Sequence, residues 1–139
     1  MKEMVYKDKF ESEVLYFGKK GNYNIEIVSH GLYPCAYVSI PPMHPYYRKS
    51  LNEISGIECH FGLTFSCPDN LSWSYSRAHS EECSWIGWDY AHVGDYIGMV
   101  EIYGIRLPES ILCGKKWTTK EILNECYQVI KQLEKVKEL

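Results

Sequence analysis

One segment near the C-terminal end constrains the fold most, because it carries a complete helical signature. Thr118-Thr119-Lys120-Glu121 has the spacing of a capping box, in which a threonine oxygen accepts from an early helical amide and a glutamate reaches back. Behind it Ile122, Cys126, Val129, Ile130, Leu133 and Val136 recur at intervals of three and four, which gathers apolar side chains into one stripe. This spacing predicts a helix over 119–137. Such a stripe must lie on another apolar surface.

Upstream, the recurring period is two. Val14-Leu15-Tyr16-Phe17 reads as a strand closed by a turn at Gly18-Lys19-Lys20-Gly21. Asn24-Ile25-Glu26-Ile27 alternates polar and apolar residues, and beyond Gly31 and Pro34 the side chains of Ala36, Val38 and Ile40 share a face. These two runs are expected to form a hairpin. Pro41, Pro42 and Pro45 cannot donate to a ladder, so pairing should stop there, and Tyr46 to Leu51 reads as a short helical turn. From Cys59 onward Phe61, Leu63 and Phe65 would point one way and His60, Gly62, Thr64 and Ser66 the other, a strand with His60 and Thr64 on one face. Cys67 to Ser84 is a polar loop carrying Trp73, Tyr75, Arg77 and His79, long enough to suggest a functional role such as a lid. Trp85 to Tyr90 reads as a strand, Ala91 to Gly98 as a loop and Met99 to Tyr103 as a short strand. The expectation is one α+β domain over 1–139, an antiparallel sheet packed against a long C-terminal helix.

The net charge of −3, with 15 basic and 18 acidic residues, argues against a nucleic-acid polymer as partner, since that affinity rests on clustered Lys and Arg. Small anionic ligands are compatible with it. The charged start, Met1-Lys2-Glu3-Met4-Val5-Tyr6-Lys7-Asp8-Lys9, has no apolar leader, and no later run reaches the length of a membrane span. A cytoplasmic protein with no membrane partner is therefore expected. Its six cysteines include no C-x-x-C pair and read as reduced, buried small hydrophobes.

The chemistry-bearing residues concentrate between Cys59 and Asp95. His92 lies three residues from both Asp89 and Asp95, so a turn would gather all three, with His60 joining from a neighbouring strand. An imidazole against a carboxylate makes a general acid/base unit, because the carboxylate fixes the tautomer and raises ring basicity. The same four residues could instead hold a divalent metal, although no compact zinc spacing is present and no cofactor is required by the sequence. Carboxylates capping turns and histidines satisfied in a half-buried network are the plainer alternative. Around the four candidate catalytic residues, His44, Thr64, Ser66, Trp88 and Arg77 are candidate ligand contacts, with the tryptophans as stacking surfaces. There is no nucleophile elbow, Walker loop or dinucleotide fingerprint.

Three motifs in order, Ile40-Pro41-Pro42-Met43-His44-Pro45, His60-Phe61-Gly62-Leu63-Thr64-Phe65 and Trp85-Ile86-Gly87-Trp88-Asp89-Tyr90-Ala91-His92-Val93-Gly94-Asp95, resemble those of a largely uncharacterised family of small bacteriophage and prophage proteins. That family's pattern runs Val-Pro-x-x-His-Pro, His-Gly-Gly-Leu-Thr-Tyr and Trp-x-Gly-Phe-Asp-x-Ala-His-x-Gly-Asp, followed by a helical segment. Phe61 stands where the pattern has a second glycine, and Phe65 where it has tyrosine. The resemblance implies a phage accessory protein of the bacterial cytoplasm. By analogy with other accessory proteins of this size, it implies counter-defence through a nucleotide-type immune signal, bound and either sequestered or cleaved by a phosphodiesterase-type reaction. A protein-binding inhibitor of a host defence enzyme is the alternative, with exposed Tyr and Trp as its interface; homo-oligomerisation is left open.

Overall fold

The structure is a computed structural model and describes residues 12–69, 82–97 and 114–137. Five strands, β1 (Glu13–Lys20), β2 (Tyr23–Ser29), β3 (Pro34–Ile40), β4 (Phe65–Cys67) and β5 (Ser84–Asp89), form one antiparallel sheet in the order β1-β2-β3-β5-β4. Among the described residues one helix, α1 (Thr119–Glu134), packs across it. The α+β architecture expected from sequence is the one observed.

Register explains which face α1 covers. Ile25 pairs with Val38 and Ile27 with Ala36, while Ala36 pairs with Trp88 and Val38 with Ile86. With period two along each strand, these residues share a face. Ile122, Cys126, Val129, Ile130 and Leu133 of α1 close over it as a single buried cluster. The opposite face buries Val28, Cys35, Tyr37, Cys83 and Trp85, which is why every residue of β2 and β3 is buried. The helix starts as its capping box dictates: Thr118 Oγ1 accepts from the Glu121 amide at 3.2 Å and Glu121 Oε1 accepts from the Thr118 amide at 3.0 Å.

Three local readings are corrected. The turn after β1 falls at Gly21 (φ 60°), and Gly18 lies inside the strand, where the Tyr16 ring fills the space that a Cβ would need. Turns cover 45–48, and the short helical turn comes later, as a 3-10 turn at Leu51–Glu53. The segment 59–64 is not a strand. Phe61 (φ 56°) and Gly62 (φ 83°) both adopt left-handed backbone, which breaks the period-two geometry, so pairing begins only at Phe65. His60 therefore projects from a turn and does not share a strand face with Thr64.

The loop bearing Trp73, Tyr75, Arg77 and His79, and the Met99–Tyr103 strand, lie outside the described residues. Within them no helix is long and apolar enough to cross a membrane, and the five cysteines they include are free thiols.

Candidate functional site

Three pieces of chain build the site. The first is the end of β5. Asp89 Oδ1 accepts from the Ala91 amide two residues on, at 3.1 Å, the turn an aspartate makes with its own backbone. The next turn closes through the Asp95 amide on the His92 carbonyl at 2.9 Å, with Gly94 at φ 92°. The His92 amide in turn donates to Asp95 Oδ2 at 3.0 Å. The histidine is thus folded back between its two aspartates.

The second piece is the segment entering α1. Asp95 forms a parallel bridge with Lys115, through Tyr96 N on Lys115 O (2.9 Å) and Lys115 N on Gly94 O (2.7 Å). Gly114 permits this approach: a Cβ there would lie 2.6 Å from the Asp95 carbonyl carbon, which no side chain tolerates. The bridge carries Trp117 to the site, where its Nε1 donates to Asp95 Oδ1 at 2.8 Å.

The third piece is the His60 turn, held on α1 by side chains. The backbone of Glu58 both donates to Gln132 Oε1 (2.6 Å) and accepts from Gln132 Nε2 (2.7 Å). The His60 amide donates to Glu125 Oε1. Residues 125 and 132 are two helical turns apart, so one face of α1 serves as a template for an otherwise irregular segment.

These pieces converge. His60 Nε2 lies 2.9 Å and 2.8 Å from the two oxygens of Asp95, whose side chain is only 3% exposed. The His60 ring stacks on Tyr90 (centroids 4.6 Å apart, 13° between planes) and meets Trp117 edge-on at 5.0 Å. His92 sits 5.7 Å from His60, with its Nδ1 3.6 Å from Asp89 Oδ1 and 3.7 Å from Asp95 Oδ2. That nitrogen is buried, and no hydrogen bond reaches it. Phe61 lies flat on the other side of His92 (4.3 Å, 3°). Thr64 Oγ1 donates to Asp89 Oδ2 at 3.2 Å.

Burial pushes the Asp95 carboxyl up. The hydrogen bonds from His60, the His92 amide and Trp117 outweigh it and hold the group below its ordinary value. Asp95 is accordingly a carboxylate fixed on three donors. Burial raises the Tyr90 hydroxyl, which accepts from Trp88 Nε1 at 3.1 Å and stays neutral beneath His60. Burial also pushes the Cys59 thiol up to about 12, which disfavours the thiolate form that a nucleophile needs.

The sequence candidates therefore sort clearly. His60, Thr64, Asp89, His92 and Asp95 are brought together, and ligand atoms of His60, His92 and Asp95 lie within 4.8 Å of one another, a set able to hold a metal. His44 is elsewhere: its Nε2 donates to the Leu133 carbonyl (2.8 Å), its Nδ1 accepts from the Tyr46 amide (2.9 Å), and it is buried. Trp88 is core, 1% exposed, and offers no stacking face. Ser66 lies on β4 opposite Ile86, and Arg77 is outside the described residues. Trp117, Tyr90, Phe61 and Glu125 were missed. For Trp117 a signal existed, since it immediately precedes the N-cap, where an apolar residue commonly packs back on the core.

Beside His60 a cleft of about 610 Å³ runs along α1, lined by Glu58, Glu121, Asn124, Glu125, Gln128 and Gln132. The carboxylates accept from hydroxyl and N–H donors and repel phosphate, while the carboxamides both donate and accept. Comparisons with protein-family models, curated proteins and solved structures find no match to this chain.

Proposed function

We propose that the chain is a phage-type counter-defence protein that binds a nucleotide-type signalling molecule at the His60–His92–Asp95 cluster, with cleavage as the second step if the site is catalytic. The carrying observation is that two imidazoles 5.7 Å apart share one buried carboxylate. In a cleaving reaction His60, oriented by Asp95, takes a proton from water or a ribose hydroxyl, and His92 returns one to the leaving oxygen. In a sequestering protein the same groups hydrogen-bond the ligand. The cleft along α1 fits ribose hydroxyls and base N–H groups, and its three glutamates direct phosphates away from it.

The test is to incubate the purified protein with cyclic oligonucleotides and ADP-ribose derivatives, denature it by heat, and analyse what is released. Intact ligand at one equivalent supports sequestration. Product beyond one equivalent, abolished by His60→Ala or His92→Ala, supports an enzyme. The reading fails if nothing is retained and no compound shifts the melting temperature.

A second reading, inhibition of a host defence enzyme by direct binding, is favoured by Phe61, stacked on His92, and Val93, the next residue in the chain, which are 61% and 95% exposed. It expects a stable complex with a protein partner that Phe61→Ser and Val93→Ser disrupt, with no small ligand recovered.

A further inference from the structure

We infer that His60, His92 and Asp95 form a binding site for a divalent transition-metal ion, zinc being the best match. The inference uses the side chains of the proposed function but not its ligand, and with an ion bound it replaces the acid–base roles of His60 and His92, since a ring whose lone pair is on an ion takes up no proton. The strongest observation is the state of His92. Its Nδ1 is buried and without a hydrogen bond, yet it faces two carboxylate oxygens at 3.6 Å and 3.7 Å. A protonated ring held between those carboxylates would close to hydrogen-bonding distance, near 2.8 Å. A ring offering a lone pair to an ion would stand off as this one does.

The spacing agrees with an ion. Ligand atoms bound at about 2.1 Å around a tetrahedral centre lie about 3.4 Å apart. Here Asp95 Oδ2 is 2.8 Å from His60 Nε2 and 3.7 Å from His92 Nδ1, and all three ligand atoms fall within 4.8 Å. Small side-chain rotations bring them to bonding distance. Two imidazoles and one carboxylate select a transition ion over magnesium or calcium, which prefer oxygen. Three protein ligands leave a fourth position open, the arrangement of catalytic rather than structural zinc.

The surroundings supply the outer contacts such a site needs. Trp117 Nε1 and the His92 amide hold Asp95, Thr64 and the Ala91 amide hold Asp89 beside His92, and Tyr90 fixes the plane of His60. On ion binding, the proton on His60 Nε2 gives way to a lone pair and the ring carries its proton on Nδ1 instead. The ion's two positive charges then offset Asp95 and the neighbouring Asp89.

The experiment is calorimetric titration of zinc chloride into the chelator-dialysed full-length chain, with magnesium chloride as comparison. One saturable equivalent of zinc per chain and none of magnesium is expected, with a rise in melting temperature. His92→Gln and His60→Gln should each weaken binding more than about 100-fold, with helical circular dichroism checking that they fold, whereas His30→Gln should leave it unchanged. Cobalt provides a readout independent of any variant: one equivalent should give the intense visible bands of four- or five-coordinate Co(II). Absence of saturable zinc binding, absence of those bands, or undiminished binding in folded His92→Gln overturns the site. No nucleotide enters these measurements, so their failure would leave the ligand reading standing, and failure of ligand capture would leave the ion site standing.

Discussion

His44 and His60 both sit in turns docked against α1, and both have a ring nitrogen in a short hydrogen bond. Their partners differ. His44 is clamped by backbone at both nitrogens, donating to Leu133 and accepting from Tyr46, so one tautomer satisfies everything around it. His60 binds a carboxylate that has two other donors, and it is flanked by Tyr90, Trp117 and Phe61. A histidine held by backbone is a structural pin whose tautomer is set by its partners. One held by a carboxylate can exchange its proton for a ligand or an ion without orphaning its neighbours.

The largest effect expected from this contrast is on stability. His44→Ala leaves the Tyr46 amide without an acceptor and removes a ring packed on Tyr23 and Tyr46, so it should cost about 2–3 kcal/mol in urea unfolding. His60→Ala should cost less, about 1.5 kcal/mol, because it removes one donor to a charged carboxylate while Asp95 keeps Trp117 and the His92 amide. Equal losses at the two positions would break the distinction. Ligand or ion binding should reverse the order, lost in His60→Ala and kept by the folded fraction of His44→Ala.

Next in size is Trp117→Phe, which keeps the ring but removes the Nε1 donor on Asp95. A hydrogen bond to a buried carboxylate is worth about 1.5 kcal/mol at the lower end of its range, and the remaining donors on Asp95 argue for that lower end. Thermal unfolding should register it. A loss no larger than that of an exposed Trp→Phe change would show that Asp95 is held by the histidines alone.

How far this site could be read from the sequence follows the range of the contacts that build it. The capping box and the 3.6-residue stripe of α1, and the alternation in β2 and β3, are local signals and appear as expected, although α1 ends at Glu134, three residues before the expected end. Asp89, His92 and Asp95 were legible because residues three apart are gathered wherever the backbone turns, and an aspartate and a glycine, Asp89 and Gly94, turn it here. The His60 turn was not. Cys59 to Ser66 alternates as a strand would, and what breaks it is a left-handed phenylalanine, a conformation its side chain disfavours. That turn is held by Glu125 and Gln132, more than sixty residues away. Trp117 likewise reaches Asp95 only through the Lys115 bridge, a tertiary contact that no local pattern encodes.

The helix start, which adjoins the His60 site through Trp117 and Lys115, gives a smaller, pH-dependent test of what supports that site. Thr118→Ala should cost about 1 kcal/mol. The Lys115 ammonium, then the Thr118 amide, hold the Glu121 carboxyl below its ordinary value. A folded value below the unfolded one means the contribution is present above the unfolded value, about 4.3, and is lost as pH falls through the folded one. Glu121→Gln should flatten that part of the acid limb. An unchanged acid limb would show that the cap is carried by the threonine alone.

The smallest effect falls at Phe61, and there the order of two substitutions is more informative than their size. In Phe61→Gly the left-handed backbone, which costs an ordinary residue about 1–2 kcal/mol, becomes free, while the ring stacked on His92, worth about 0.5–1.5 kcal/mol, is lost. The greater freedom of glycine in the unfolded chain costs about 0.5–1 kcal/mol. These terms nearly cancel, so stability should change by less than about 1 kcal/mol. Phe61→Ala loses the ring and keeps the backbone penalty, so alanine should be less stable than glycine, the reverse of their order in a helix or strand. If alanine is the more stable, the left-handed turn is not what sets His60 in place. If the order holds, Phe61→Gly uncovers one face of His92 at little cost, and any gain or loss in binding it produces can be assigned to the ring itself.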